Sequence, residues 1–77
     1  MPHISVKMLK GRTDEQKRQA AQKLENALCE AIGCTPTHIS IAIEDYTAEE
    51  WQEVFQKEIA ENDCIFKKPE YDPKDLL

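Results

Sequence analysis

The spacing of apolar and polar residues changes along this chain, and each change marks an element. Residues 3–9 alternate, with Ile4, Val6 and Met8 on one side and His3, Ser5 and Lys7 on the other. This is the period of a half-buried strand. Gly11 and Arg12 form a turn. Thr13 follows as an N-cap, Gln16 completes a capping box, and Asp14 and Glu15 put negative charge in the first helical turn, where the helix dipole favours it. Ala20, Ala21, Leu24, Ala27, Leu28, Ala31 and Ile32 then recur at the spacing of an amphipathic helix. Gly33 is placed to end that helix in a left-handed cap. After the loop Cys34-Thr35-Pro36-Thr37, residues 39–44 predict a second strand with Ile39, Ile41 and Ile43 on one face. Thr47 and Glu50 repeat the capping box and open a shorter helix over 48–60, striped by Trp51, Val54, Phe55 and Ile59. Residues 61–77 predict an irregular tail, ordered only if it packs on something else.

Strand, helix, strand in so short a chain implies a right-handed crossover and a parallel strand pair. The expected fold is α+β, a two-layer β-α-β core over 2–45, with the short helix 48–60 and the tail 61–77 completing one domain, 1–77. No linker, repeat or low-complexity stretch interrupts it. A chain of 77 residues buries only about 60% of the surface that its unfolded form exposes. Parallel strands are normally covered on both faces, and one helix covers one. The expectation is a homodimer, in which two β-α-β units build a four-stranded sheet.

A net charge of −5 argues against nucleic acid or an anionic membrane as partner. No apolar run is long enough for a signal peptide or a membrane span, so a cytoplasmic protein is expected. The three cysteines, Cys29, Cys34 and Cys64, are odd in number and contain no Cys-x-x-Cys pair, which fits a reducing setting. Cys29 is read as helix packing, and Cys34 and Cys64 as incidental thiols. His3 and His38 have no partners at metal-ligand spacing, so no metal is expected. Glu44-Asp45 and Glu49-Glu50 are read as solvated charges, and Lys67 and Lys68 as solvent-facing.

The candidate chemistry lies at Pro2. Its small side chain suits removal of an initiator Met1, which would leave a secondary amine at the start of a strand. An α-amino group has an ordinary pKa of about 7.7–8.0, and burial lowers the pKa of a cationic group. A partly buried N-terminal Pro2 is therefore a candidate general base near neutral pH. With Met1 attached, the same nitrogen is a tertiary amide without useful basicity.

Pro2 opening a strand, the run Gly11-Arg12-Thr13-Asp14-Glu15-Gln16-Lys17, the strand Ile39-Ser40-Ile41-Ala42-Ile43 and Trp51 together resemble the 4-oxalocrotonate tautomerase family. The likeness covers roughly residues 2–60. Ser40, Trp51 and the tail with Lys67-Lys68-Pro69 and Tyr71 look more like its dimeric bacterial subgroup, which acts on phenylenolpyruvate-type substrates; shorter members are hexamers. The resemblance implies a cofactor-free keto–enol isomerisation of a small 2-oxo acid, with Pro2 carrying the proton. It also implies that Arg12 binds the substrate carboxylate and that Trp51 lines the pocket. Ile39 is read as a further apolar wall, and Ser40 as a substrate-binding position on the second strand. Many members carry a second Arg where this chain has Ser40. Serine cannot neutralise a carboxylate, which favours a monoacid with an apolar group over a dicarboxylate. Two other readings stand beside the tautomerase: hydration or dehalogenation of an unsaturated acid, with Pro2 as a protonated acid, and a non-catalytic oligomeric binding module.

Overall fold

A computed structural model describes residues 1–77, and the chain divides into two compact units, Met1–Asp45 and Tyr46–Leu77. The first unit is built from strand β1 (His3–Leu9), helix α1 (Asp14–Ile32), a 3-10 turn (Pro36–His38) and strand β2 (Ser40–Tyr46). β1 and β2 pair in a two-stranded sheet. The Ser40 amide donates to the Pro2 carbonyl at 3.3 Å, His3 Nδ1 lies 2.6 Å from Ser40 Oγ, and Lys7 Nζ lies 3.4 Å from Glu44 Oε1. Both side-chain pairs have the same sequence offset, 37 residues. A constant offset is the register of parallel strands, and the pair is parallel as the crossover rule requires.

Local chemistry sets these boundaries. Thr13 accepts from the Gln16 amide while the Gln16 side chain accepts from the Thr13 amide, so both halves of the capping box form. At the other end Gly33 adopts φ 71° and donates to the Cys29 carbonyl; the left-handed conformation suits a residue without Cβ. β2 starts one residue later and ends two residues later than the alternation predicts. Pro36 seeds the 3-10 turn, and the Ile39 amide is spent on the Pro36 carbonyl. At the far end the acidic pair stays in the strand because each carboxylate has a cation: Glu44 has Lys7, and Asp45 Oδ2 accepts from Lys17 Nζ at 2.5 Å. Thr13→Ala is expected to lower stability by about 1 kcal/mol, with Thr13→Asn close to the parent. Chemical denaturation reads both, and equal midpoints for Ala and parent would remove the cap from the account.

α1 lies over the sheet face that carries Ile4, Val6, Met8, Ile41 and Ile43. Ile41 shares a groove with Arg18, Ala21 and Gln22 of α1, and Lys17 reaches Asp45 on the same side. The opposite face differs from the expectation that both faces seek apolar cover. It carries His3, Ser5, Lys7, Ser40 and Glu44, joined by the His3–Ser40, Lys7–Ser5 and Lys7–Glu44 contacts, with Ala42 among them and Leu9 and Tyr46 at the strand ends. Such a face tolerates water. What one chain fails to bury is its apolar layer: no residue of α1 is buried, and the inward strand residues are only half-buried. One helix on two strands leaves the flanks of that layer open.

In the second unit, helix α2 (Ala48–Phe55) starts at a Thr47–Glu50 capping box. The wider π-type winding of Gln56–Ala60 continues it. The tail folds back on α2. Trp51 Nε1 donates to the Tyr71 hydroxyl at 2.9 Å, and Gln52 Nε2 donates to the Pro73 carbonyl at 2.8 Å. The Phe55 and Tyr71 rings meet edge to face at 5.6 Å. A short 3-10 turn over Pro73–Leu76 closes the chain. Trp51, 8% exposed, is the single buried apolar residue of the protein.

Candidate active site

Pro2 lies immediately before β1 and is half-buried. Its carbonyl is fixed by the Ser40 amide, so the nitrogen of Pro2 projects from a backbone anchored to the neighbouring strand. Met1 beyond it is 94% exposed. Ile39, half-buried, and Ser40 sit at this same end of the sheet, where both strands begin. Ser40 meets Pro2 through its backbone; its hydroxyl is paired with His3 on the face away from α1. His3, read from the sequence as solvated or packed, is thus tied to Ser40. The signal for that pairing is the parallel register, which makes residues 3 and 40 neighbours.

Arg12 is not brought to Pro2. It lies beyond the far end of β1, exposed, with Nη1 donating to the Leu9 carbonyl at 3.4 Å. At about 3.3 Å per residue, the seven residues of β1 put Leu9 about 20 Å from the Pro2 end. Trp51 belongs to the second unit. There it is engaged on two sides, by Tyr71 through its N–H and by the Tyr46 ring at 6.2 Å in an edge-on contact. The role of Tyr71 as hydrogen-bond partner of Trp51 could not be read from spacing, since the two are 20 residues apart. A separate hollow of about 370 Å³ in the second unit is bounded by Phe55, Ile59, Ile65 and Pro69 with Lys68 at its rim, and contains none of the five predicted site residues.

The start of β1 thus carries a half-buried proline whose carbonyl is held by the second strand. Residues 2–55 match the family model described as tautomerase enzyme. The chain is 33% identical over 73 residues to tautomerase PptA of Escherichia coli O139:H28, covering 92% of this chain and 97% of that protein. It is 47% identical over 45 residues to the 2-hydroxymuconate tautomerase of Bacillus subtilis, covering 58% of this chain and 73% of that one. Among solved structures, that of YwhB, a homologue of 4-oxalocrotonate tautomerase, superposes with a TM-score of 0.62 at 41% identity, over 64% of this chain and 80% of the other. A family match that begins at Pro2 and runs through both strands and α1, on a β-α-β unit of the same fold, means that this chain belongs to the tautomerase family and is an isomerase.

Proposed function

We propose that this tautomerase converts the enol of an aryl-substituted 2-oxo acid, such as phenylenolpyruvate, to its keto form, with the Pro2 nitrogen as general base once Met1 is removed. The observation that carries this reading is the position of Pro2: half-buried, at the first step of β1, with its carbonyl fixed by the Ser40 amide. The neutral amine takes the proton from the enol oxygen, and the same nitrogen then delivers a proton to the adjacent carbon as the carbonyl forms. One group with a pKa near the working pH serves both steps. No cofactor enters this reaction. The substrate carboxylate needs a cation, and a planar guanidinium fits it.

Arg12 is that cation in this reading, and the length of β1 requires it to come from a second copy. Two chains whose sheets join edge to edge in opposite directions bring the Arg12 end of one to the Pro2 end of the other. The same association covers the open flanks of the apolar layer, and it supports a homodimer with two shared sites; a hexamer built from such pairs would preserve them. Ser40 leaves the site without a second strand-borne cation, which suits a monocarboxylate with an apolar group. Ile39 is the proposed apolar wall, while Trp51, 8% exposed, is engaged by Tyr71 and Tyr46 within the second unit.

Three measurements test this reading. Loss of the enol absorbance of phenylenolpyruvate is expected to follow enzyme concentration in protein whose intact mass shows Met1 removed; no acceleration over buffer would contradict it. Light scattering is expected to give an oligomer of at least two chains. A stable monomer with full activity would exclude a shared site. Arg12→Ala is expected to raise KM at least tenfold, because about 1.5 kcal/mol or more rides on a charged hydrogen bond, and an unchanged KM would take Arg12 out of the site.

A further inference from the structure

The end of α1 holds two thiols together. Cys29 and Cys34 are both half-buried and free, and their sulfurs lie 3.7 Å apart with Cys34 Sγ donating to Cys29 Sγ. The cause is the helix stop. Gly33, left-handed at φ 71°, returns its amide to the Cys29 carbonyl, and this turn swings the next residue back over the last helical turn. The two positions brought together in this motif usually make an apolar contact. Here both are cysteines, so the stop that ordinarily packs carbon on carbon packs sulfur on sulfur.

We propose that Cys29 and Cys34 form an oxidisable dithiol, a modification site that closes to an intramolecular disulfide by exchange with a small-molecule disulfide such as oxidised glutathione. The Cys34 thiolate attacks one sulfur of the small disulfide, making a mixed disulfide and expelling the first small thiolate. Cys29 then loses its proton to solvent and attacks the Cys34 sulfur, expelling the second. Both small thiolates take up protons. Two protein thiols are oxidised to one disulfide, and one small disulfide is reduced to two thiols. Burial, and then hydrogen bonding with Cys34, hold the Cys29 thiol above its ordinary value, so Cys34 is placed first in the order of attack. Closure needs the sulfurs to come from 3.7 Å to about 2.05 Å, a shift within reach of side-chain rotation. Cys34 opens the segment that leads to Ser40, whose amide holds the Pro2 carbonyl. The bond therefore tethers the chain entering β2 to the end of α1. The chemistry stands independently of the reaction assigned to Pro2.

The test uses the full chain with Cys64→Ser, since Cys64 is exposed and would otherwise exchange between molecules. After incubation with oxidised glutathione, titratable thiols are expected to fall from two to none, with a mass loss of two hydrogens and no bound glutathione. Cleavage after Glu30, which separates Cys29 from Cys34, is expected to leave the two fragments joined until a reductant is added. Cys34→Ser in the same background is expected to retain its single thiol or take up one glutathione. A persistent glutathione adduct on the Cys64→Ser protein, or two thiols that stay free at the same ratio of oxidised to reduced glutathione that closes ordinary protein dithiols, would overturn the proposal and leave the contact as packing alone.

Discussion

Pro2→Ala is expected to lower kcat for enol-to-keto conversion by about 10²–10⁴-fold, the range over which a positioned general acid–base group contributes. KM is expected to change little, because the carboxylate is held elsewhere. The replacement keeps an N-terminal amine but loses the ring that fixes its direction from the anchored backbone. Protein that retains Met1 is expected to be at least as inactive, since acylated Pro2 nitrogen has no basic lone pair. Intact mass distinguishes the two preparations, and stopped-flow absorbance reads both. In the mature parent protein, kcat/KM is expected to fall on the acid side as Pro2 takes up a proton. The sign follows from the role: a base must be neutral to act, so activity is present above its pKa and lost below it. Equal rates for Pro2→Ala and parent would remove Pro2 from the reaction while leaving the fold untouched.

Trp51→Ala is expected to be the most destabilising single substitution in the chain, at about 3–5 kcal/mol. Trp51 is the one buried apolar residue, at 8% exposed, and it joins α2 to the tail through the Tyr71 hydroxyl and to Tyr46 through a ring contact. Against a total stability of about 5–15 kcal/mol for a domain, that loss is severe. Trp51→Phe keeps most of the apolar area and forfeits the N–H donor, so about 1 kcal/mol is expected. Denaturant midpoints at one fixed protein concentration compare the three, since association shifts apparent stability by mass action. Equal costs for Ala and Phe would mean that the hydrogen bond, not burial, is what Trp51 supplies.

Much of the fold was legible because local signals agree with one another. Alternation over 3–9, two capping boxes and a glycine at a helix stop each have a single local solution, and β1, α1 and both N-caps fall where those signals place them. β2 was displaced for reasons that need the third dimension. The 3-10 turn at Pro36 claims the Ile39 amide, and Lys7 and Lys17 hold Glu44 and Asp45 in a strand that the sequence ends at the first of them. The polar face was written in the alternation of His3, Ser5 and Lys7, yet the general habit of parallel sheets weighed against it. The site was less legible than the fold. Spacing places Arg12 in a turn and Pro2 at a strand start, but only the length of β1 separates them. Likewise the Trp51–Tyr71 bond spans 20 residues and leaves no periodic trace, and the thiol pair follows from the handedness of one glycine.

The most direct measurement is an NMR titration of the Pro2 nitrogen, labelled with ¹⁵N, in protein of confirmed N-terminal mass. The account predicts a secondary amine whose pKa lies below the ordinary α-amino value of about 7.7–8.0, leaving a large neutral fraction at pH 7. A nitrogen that titrates well above that value, or one that does not titrate because it is acylated in the active protein, would contradict it.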